Sequence, residues 1–183
     1  MLGEVGDQVE DMINARGRSP VHIAEGLALV LGAVVLSAMV ASHARPDASA
    51  RSRLETALLD KPRDAPPPNT VARMWPVLSL VLTLSGLRIW NAPQSPARSR
   101  ALGLWAGVQG LNAVWMAWSP RQQSAQLATT LAALGAGICY ANEARKVDGT
   151  AAALVSPYLG WSSLASLLTG EIWRRNRRRP TIH

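Results

Sequence analysis

Residues Ala101–Trp118 form an unbroken run of eighteen residues without a charge, and three of the chain's seven tryptophans lie inside it. At about 1.5 Å per residue, a helix of that length is close to the ~30 Å thickness of a bilayer core. Four further apolar runs accompany it: Val21–Ala44, Met74–Trp90, Ala125–Ala141 and Ala151–Trp173. A helix on the outside of a soluble bundle carries charged residues at every turn or so of its outer face. Gly26–Ser42, Ala101–Trp118 and Ala125–Ala141 carry none at all. The chain is therefore expected to be all-α, an integral membrane bundle of five transmembrane helices.

Composition supports that class. Charged residues make up 17% of the chain, against about 25% in ordinary soluble domains. Phe is absent while Trp is plentiful, and Trp favours the membrane–water boundary, where its ring is sheltered and its N–H stays wet. A net charge of +7 would suit nucleic acid. The basic residues, however, cluster at the ends of the apolar runs, where they anchor membrane helices, so nucleic acid is not an expected partner and lipid headgroups are. The lone Cys139 excludes an intrachain disulfide and any multi-cysteine metal site, and within its apolar run it is expected to be a buried, inert thiol.

The runs divide the chain. Residues 1–20 are a polar tail whose spacing suits a short amphipathic or frayed helix. Ser42-His43-Ala44 has the small residues of a leader cleavage site, but the preceding segment is long and acidic, which favours an uncleaved first span. Residues 43–72 form a long polar loop in which Arg53–Asp60 suits one or two helical turns. Its Pro66, Pro67 and Pro68 fix an extended approach to the second span. Pro76 stands near the start of that span, where a helix tolerates proline. Residues 21–176 form the membrane domain, and 177–183 are a basic tail. Five spans put six Lys/Arg on one side and twelve on the other, with the twelve on the side of loop 43–72 and the C-terminus. The positive-inside rule predicts a cytoplasmic position for both.

Helical periodicity groups Trp105, Gln109, Asn112 and Met116 on one face of the third run, with Trp115 beside them. Trp75, Ser79, Gly86 and Trp90 group on the second run, and Tyr158, Ser162, Ala165 and Thr169 on the fifth. Such apolar faces with a few polar groups suit a small-molecule pocket, and equally suit helices that simply pack together. Gly103 and Gly107 form a small-xxx-small pair for a helix–helix or dimer contact. Arg88 is expected to pair with Glu25 or Glu143. His22 and His43 flank opposite ends of one helix and cannot share a metal. Neither a Ser-His-Asp set nor paired carboxylates within the spans are visible, so no catalytic or metal-binding residue is expected.

In this order and spacing, three stretches resemble the TspO/MBR family, the tryptophan-rich sensory or translocator proteins. Lys61-Pro62, Pro66-Pro67-Pro68, Trp75 and Trp90 resemble its proline-rich loop and second helix. Ala101-Leu-Gly-Leu, Leu111-Asn112 and Trp115 resemble its third helix. Pro157-Tyr158-Leu159-Gly160-Trp161 and Ile172-Trp173-Arg174-Arg175-Asn176 resemble the two ends of its fifth. The resemblance covers residues 21–176 and implies a five-helix bundle, often dimeric, whose pocket opens toward the first loop. It also implies a receptor or carrier for porphyrin, sterol or other aromatic ligands, active in stress sensing or transport, with haem or a porphyrin as ligand rather than as a required cofactor. Trp75, Asn112, Trp115, Pro157, Tyr158 and Trp161 match family positions that line or support the pocket. With Trp105, Gln109 and Ser162 added from the helical faces, the expected ligand set is Trp75, Trp105, Gln109, Asn112, Trp115, Tyr158, Trp161 and Ser162, under a lid of Pro66, Pro67 and Pro68. Some positions depart from the family: Asp64 and Asn69 stand where it carries tryptophans, Val108 where it carries the third-helix Gln, and Thr169-Gly170-Glu171 where animal members carry Asn-Tyr-Tyr. The alternatives are a membrane interaction protein with a filled, ligand-free core, and an enzyme acting on photosensitive tetrapyrroles, which would need turnover of the ligand rather than further residues.

Overall fold

A computed structural model of the chain describes residues 2–44, 58–63, 65–118 and 122–176. Among these, all regular structure is α-helical: α1 (Leu2–Met12), α2 (Pro20–Ala44), α3 (Pro68–Asn91), α4 (Pro96–Ala117), α5 (Gln123–Arg145), α6 (Gly149–Leu154) and α7 (Ser156–Asn176). Each of the five apolar runs is helical, and most of the helices extend beyond their runs. Two of them, Pro20–Val40 and the combined Gly149–Asn176, are long and apolar enough to cross a membrane by length and composition, with mean hydropathies of 2.2 and 1.3.

Local chemistry sets several of the ends. Ser95 Oγ caps α4 by accepting from the Arg98 amide, and Pro96 follows at a position where the missing N–H costs nothing. Asp148 caps α6 by accepting from the amides of Thr150 and Ala151 at 2.8 and 3.1 Å. Pro68 opens α3, so Pro76 lies two turns inside the helix rather than near its start. There it removes one ladder donor. Helix α1 ends in a Schellman turn. The Ala15 amide reaches back to the Glu10 carbonyl and the Asn14 amide to the Asp11 carbonyl, with Asn14 left-handed at φ 55°.

The long helices close into a ring. Helix α2 packs on α3 and α4, α4 on α5, α5 on α7, and α3 on α6 and α7. Close approach within the ring depends on glycine. A Cβ on Gly86 would stand 2.5 Å from the Trp105 indole nitrogen, and one on Gly26 would collide with Trp90. The space at Gly86 lets Trp105 lie flat against α3 and donate to the Leu82 carbonyl at 2.9 Å. The ring's exterior is apolar. Leu31, Val35 and Leu36 of α2, Leu80 of α3, Leu131 and Ile138 of α5 and Leu167 of α7 are all exposed. Cys139 shares that exterior; the thiol is exposed rather than buried, because its side of α5 faces away from the ring.

One end of the ring carries the ionic contacts that join one helix to another; the pairs of Glu171 with Arg174 and Arg175 lie at the other end, within α7. Arg88 pairs with Asp148 at 2.8 Å, with side chains only 12% and 8% exposed, and not with Glu25 or Glu143. Glu143 instead meets Lys146 and Arg100, whose hydrogen bonds and charge hold its carboxyl below the usual range. Arg98 crosses the end of α3, donating to the carbonyls of Ile89 and Trp90. It caps orphan acceptors at the negative end of that helix dipole. Burial, and the nearby Arg18 charge, lower its pKa.

Candidate functional site

The other end of the ring is open inside. A cavity of about 470 Å³ lies between α3, α4, α5 and α7, with Pro66 contributing to its wall. Helix α3 supplies Trp75 and Pro76, and α4 supplies Asn112, Trp115 and Met116. Helix α5 supplies Thr130 and Ala133, and α7 runs along it from Tyr158 to Thr169. Among the described residues, the lining has no acid, arginine, lysine or histidine. Its polar groups are Asn112, Thr130, Tyr158, Ser162 and Thr169, set among indole rings and aliphatic carbons.

Asn112 and Tyr158 fix each other. The Tyr158 hydroxyl donates to Asn112 Oδ1 at 3.0 Å in a buried contact between α4 and α7. That bond turns the Asn112 amide so that its NH₂ group carries the remaining donors at the cavity wall. Trp75 and Trp115 stack across α3 and α4 with centroids 6.0 Å apart and planes at 27°. Together they form an aromatic stretch of the lining, to which Trp161 of α7 also contributes. Thr130 is oriented by donating to the Gln126 carbonyl. Trp118, at the end of α4, donates to Thr129 and ties α4 to α5 just beyond the cavity. Such an arrangement can hold a flat hydrophobic molecule by stacking and orient it with one or two hydrogen bonds.

Six of the eight residues of the expected ligand set surround this cavity, Trp75, Asn112, Trp115, Tyr158, Trp161 and Ser162, and Met116, Ala165 and Thr169 from the same faces line it as well. Trp105 and Gln109 do not. Trp105 shares a stripe with Asn112 but lies two turns away along α4, packed on Gly86; Gln109 is buried elsewhere in the ring. Ser79 borders a small void beside Trp75, Asn112 and Tyr158. Gly86 and Trp90, further along α3, belong to the packed end. Thr130 and Ala133 were missed because the Ala/Gly/Thr character of α5 reads as close packing alone. Their i, i+3 spacing is the signal that could have found them.

Of the proline lid, Pro66 lines the cavity, Pro67 precedes α3 and Pro68 starts it; loop residues 45–57 and 64 lie outside the described residues, as do the tail arginines from 177 onward. The part of the loop that is described is pinned to α7 by a reciprocal pair. The Asp60 amide donates to Asn176 Oδ1 at 3.1 Å, and Asn176 Nδ2 donates to the Asp60 carbonyl at 3.0 Å. Gly103 and Gly107 are exposed, with nothing within 4 Å of where a Cβ would stand, so among the described residues they make no helix–helix contact.

The sequence matches the TspO/MBR family over residues 27–174. It is 30% identical over 127 residues to the translocator protein of Ovis aries, covering 67% of this chain and 75% of the sheep protein. It is also 30% identical over 125 residues to the translocator protein of Bos taurus, covering 66% and 74% of the two chains.

Proposed function

Because the chain belongs to the TspO/MBR family, we propose that it is a five-span integral membrane protein that captures a hydrophobic aromatic ligand in the cavity beside Asn112. The observation that carries this reading is the cavity itself. Its volume falls in the range of small-molecule pockets, and its aromatic, uncharged wall with a Tyr158-oriented amide suits a tetrapyrrole- or sterol-like polycycle. The exposed apolar side chains around the ring support all five long helices facing lipid. Loop 43–72 and the C-terminus are assigned to the cytoplasmic side by their excess of Lys and Arg. The outward face bearing Gly103 and Gly107 is where a second copy would pack in a homodimer. Capture of this kind serves sensing or transport of the ligand, and a filled core is the reading that the cavity disfavours.

The test is quenching of intrinsic tryptophan fluorescence by protoporphyrin or haem, on the full chain in detergent. Saturable quenching is expected, a few-fold weaker in Asn112→Leu for the loss of one hydrogen bond of about 1 kcal/mol. Trp161→Leu weakens it further by removing a stacking face. Quenching of equal strength in all three proteins would mean partition into the micelle and would contradict the reading.

A further inference from the structure

Helix α1 precedes the family match, which begins at residue 27, yet its C-terminal end is wired into the bundle. Arg88 Nη1 donates to the carbonyls of Asp11 and Met12 at 2.6 and 2.8 Å, and Asn91 Nδ2 donates to the Ile13 carbonyl at 2.8 Å. Arg18 closes the link by donating to the Asn91 carbonyl, and Ile13 and Ala15 are buried. All of these anchors sit at the last turn of α3. Beside them, Trp90 stacks on His22 and lies under the Arg98 guanidinium. A tryptophan with cationic and polar neighbours at the end of an apolar helix marks the level of a membrane boundary.

Among the described residues, no other helix packs along α1 itself. Its sequence is nonetheless sharply two-faced. Leu2, Val5, Val9 and Met12 recur at helical spacing on one side, while Glu4, Asp7, Glu10 and Asp11 fall on the other. Val9 and Met12 are 44% and 51% exposed.

We infer that α1 is an interfacial helix, lying along the membrane surface with its Val9/Met12 stripe in the headgroup–acyl boundary and its acids toward water. The occupant of the stripe is the lipid surface. The Schellman turn and the Arg88 contacts hold the end of α1 at the boundary, and the exposed apolar side chains of α2 begin at Val21, nine residues after Met12, so α1 leads directly into a helix whose exterior is apolar. Four acids on the wet face fit a zwitterionic leaflet and are disfavoured by an anionic one. The inference rests on the membrane reading above.

The experiment places single cysteines in a Cys139→Ala background of the full chain, each labelled with an environment-sensitive fluorophore. The protein is reconstituted in phosphatidylcholine vesicles carrying lipids with a nitroxide on either a shallow or a deep acyl carbon. Val9→Cys reports the stripe, Asp7→Cys the acidic face, and Leu36→Cys the exterior of α2. The expected result is severalfold stronger shallow quenching at position 9 than at 7, with deep quenching at 36. Equal, weak quenching at 9 and 7 while 36 is quenched would overturn the inference and leave the membrane reading intact. No quenching at 36 would overturn the membrane reading, and the inference with it. Shielding at position 9 that is equal in lipid-free detergent and grows with protein concentration would assign the stripe to a second copy and overturn the lipid assignment.

Discussion

Arg88 is the side chain on which the closed end of the bundle depends. Its guanidinium neutralises Asp148 and satisfies two carbonyls at the end of α1, while Asp148 caps α6, so one ion pair joins three elements. Arg88→Met would leave a nearly buried carboxylate without its partner, a loss of about 3–5 kcal/mol by comparison with other broken buried pairs. A clear drop in the thermal midpoint in detergent is expected, partly restored in the Arg88→Met/Asp148→Asn double variant; equal midpoints for wild type and Arg88→Met would contradict that role. Glu25 and Glu143 are equally reasonable partners in sequence, because the pairing depends on the ring order of helices sixty residues apart, which no local pattern encodes. The exposed thiol of Cys139 was illegible for a related reason. On a helix apolar all round, nothing in the sequence distinguishes the outer side from the side that faces the ring. By contrast, Asn112 and Tyr158 stood out as polar groups within apolar runs, and the structure joins them.

At the scale of elements, the helices were legible wherever charge is absent over many residues, since that signal needs no knowledge of neighbours. Their boundaries were less so. Helix α3 starts six residues before its apolar run because proline is as comfortable in a first turn as in a loop. The fifth run divides at Val155, next to Ser156-Pro157, where proline has no N–H to continue the preceding ladder. The packing of α3 on α4 depends on Gly86, whose missing side chain is the seat of the Trp105 indole. Gly86→Val is expected to push Trp105 off the Leu82 carbonyl and to destabilise the bundle by about 1–3 kcal/mol, as overpacking does. A red-shifted tryptophan emission and a lower thermal midpoint would report it; an unchanged midpoint would show that α3 and α4 separate without cost.

For the whole molecule, the ring order α2–α3–α7–α5–α4 makes a cavity out of residues that are far apart in sequence. The loop side of the ring brings together Trp75, Asn112, Trp115 and Trp161, while the same stripes continue into solid packing at the other end, where Trp105 and Trp90 sit. Periodicity identifies a face but not the level along it, so the sequence reading included Trp105 and Gln109. It passed over Thr130 and Ala133, whose small side chains serve packing and cavity walls equally well. The central claim, that this cavity holds the ligand, is tested most directly by filling it while keeping all seven tryptophans that provide the signal. The measurement is protoporphyrin titration of wild type and Ala165→Phe, monitored by tryptophan fluorescence at matched thermal midpoints. The expected result is saturable quenching in wild type and binding at least about tenfold weaker in the variant, a difference of about 1.4 kcal/mol. Identical curves for the two proteins would contradict the assignment of the cavity as the binding site.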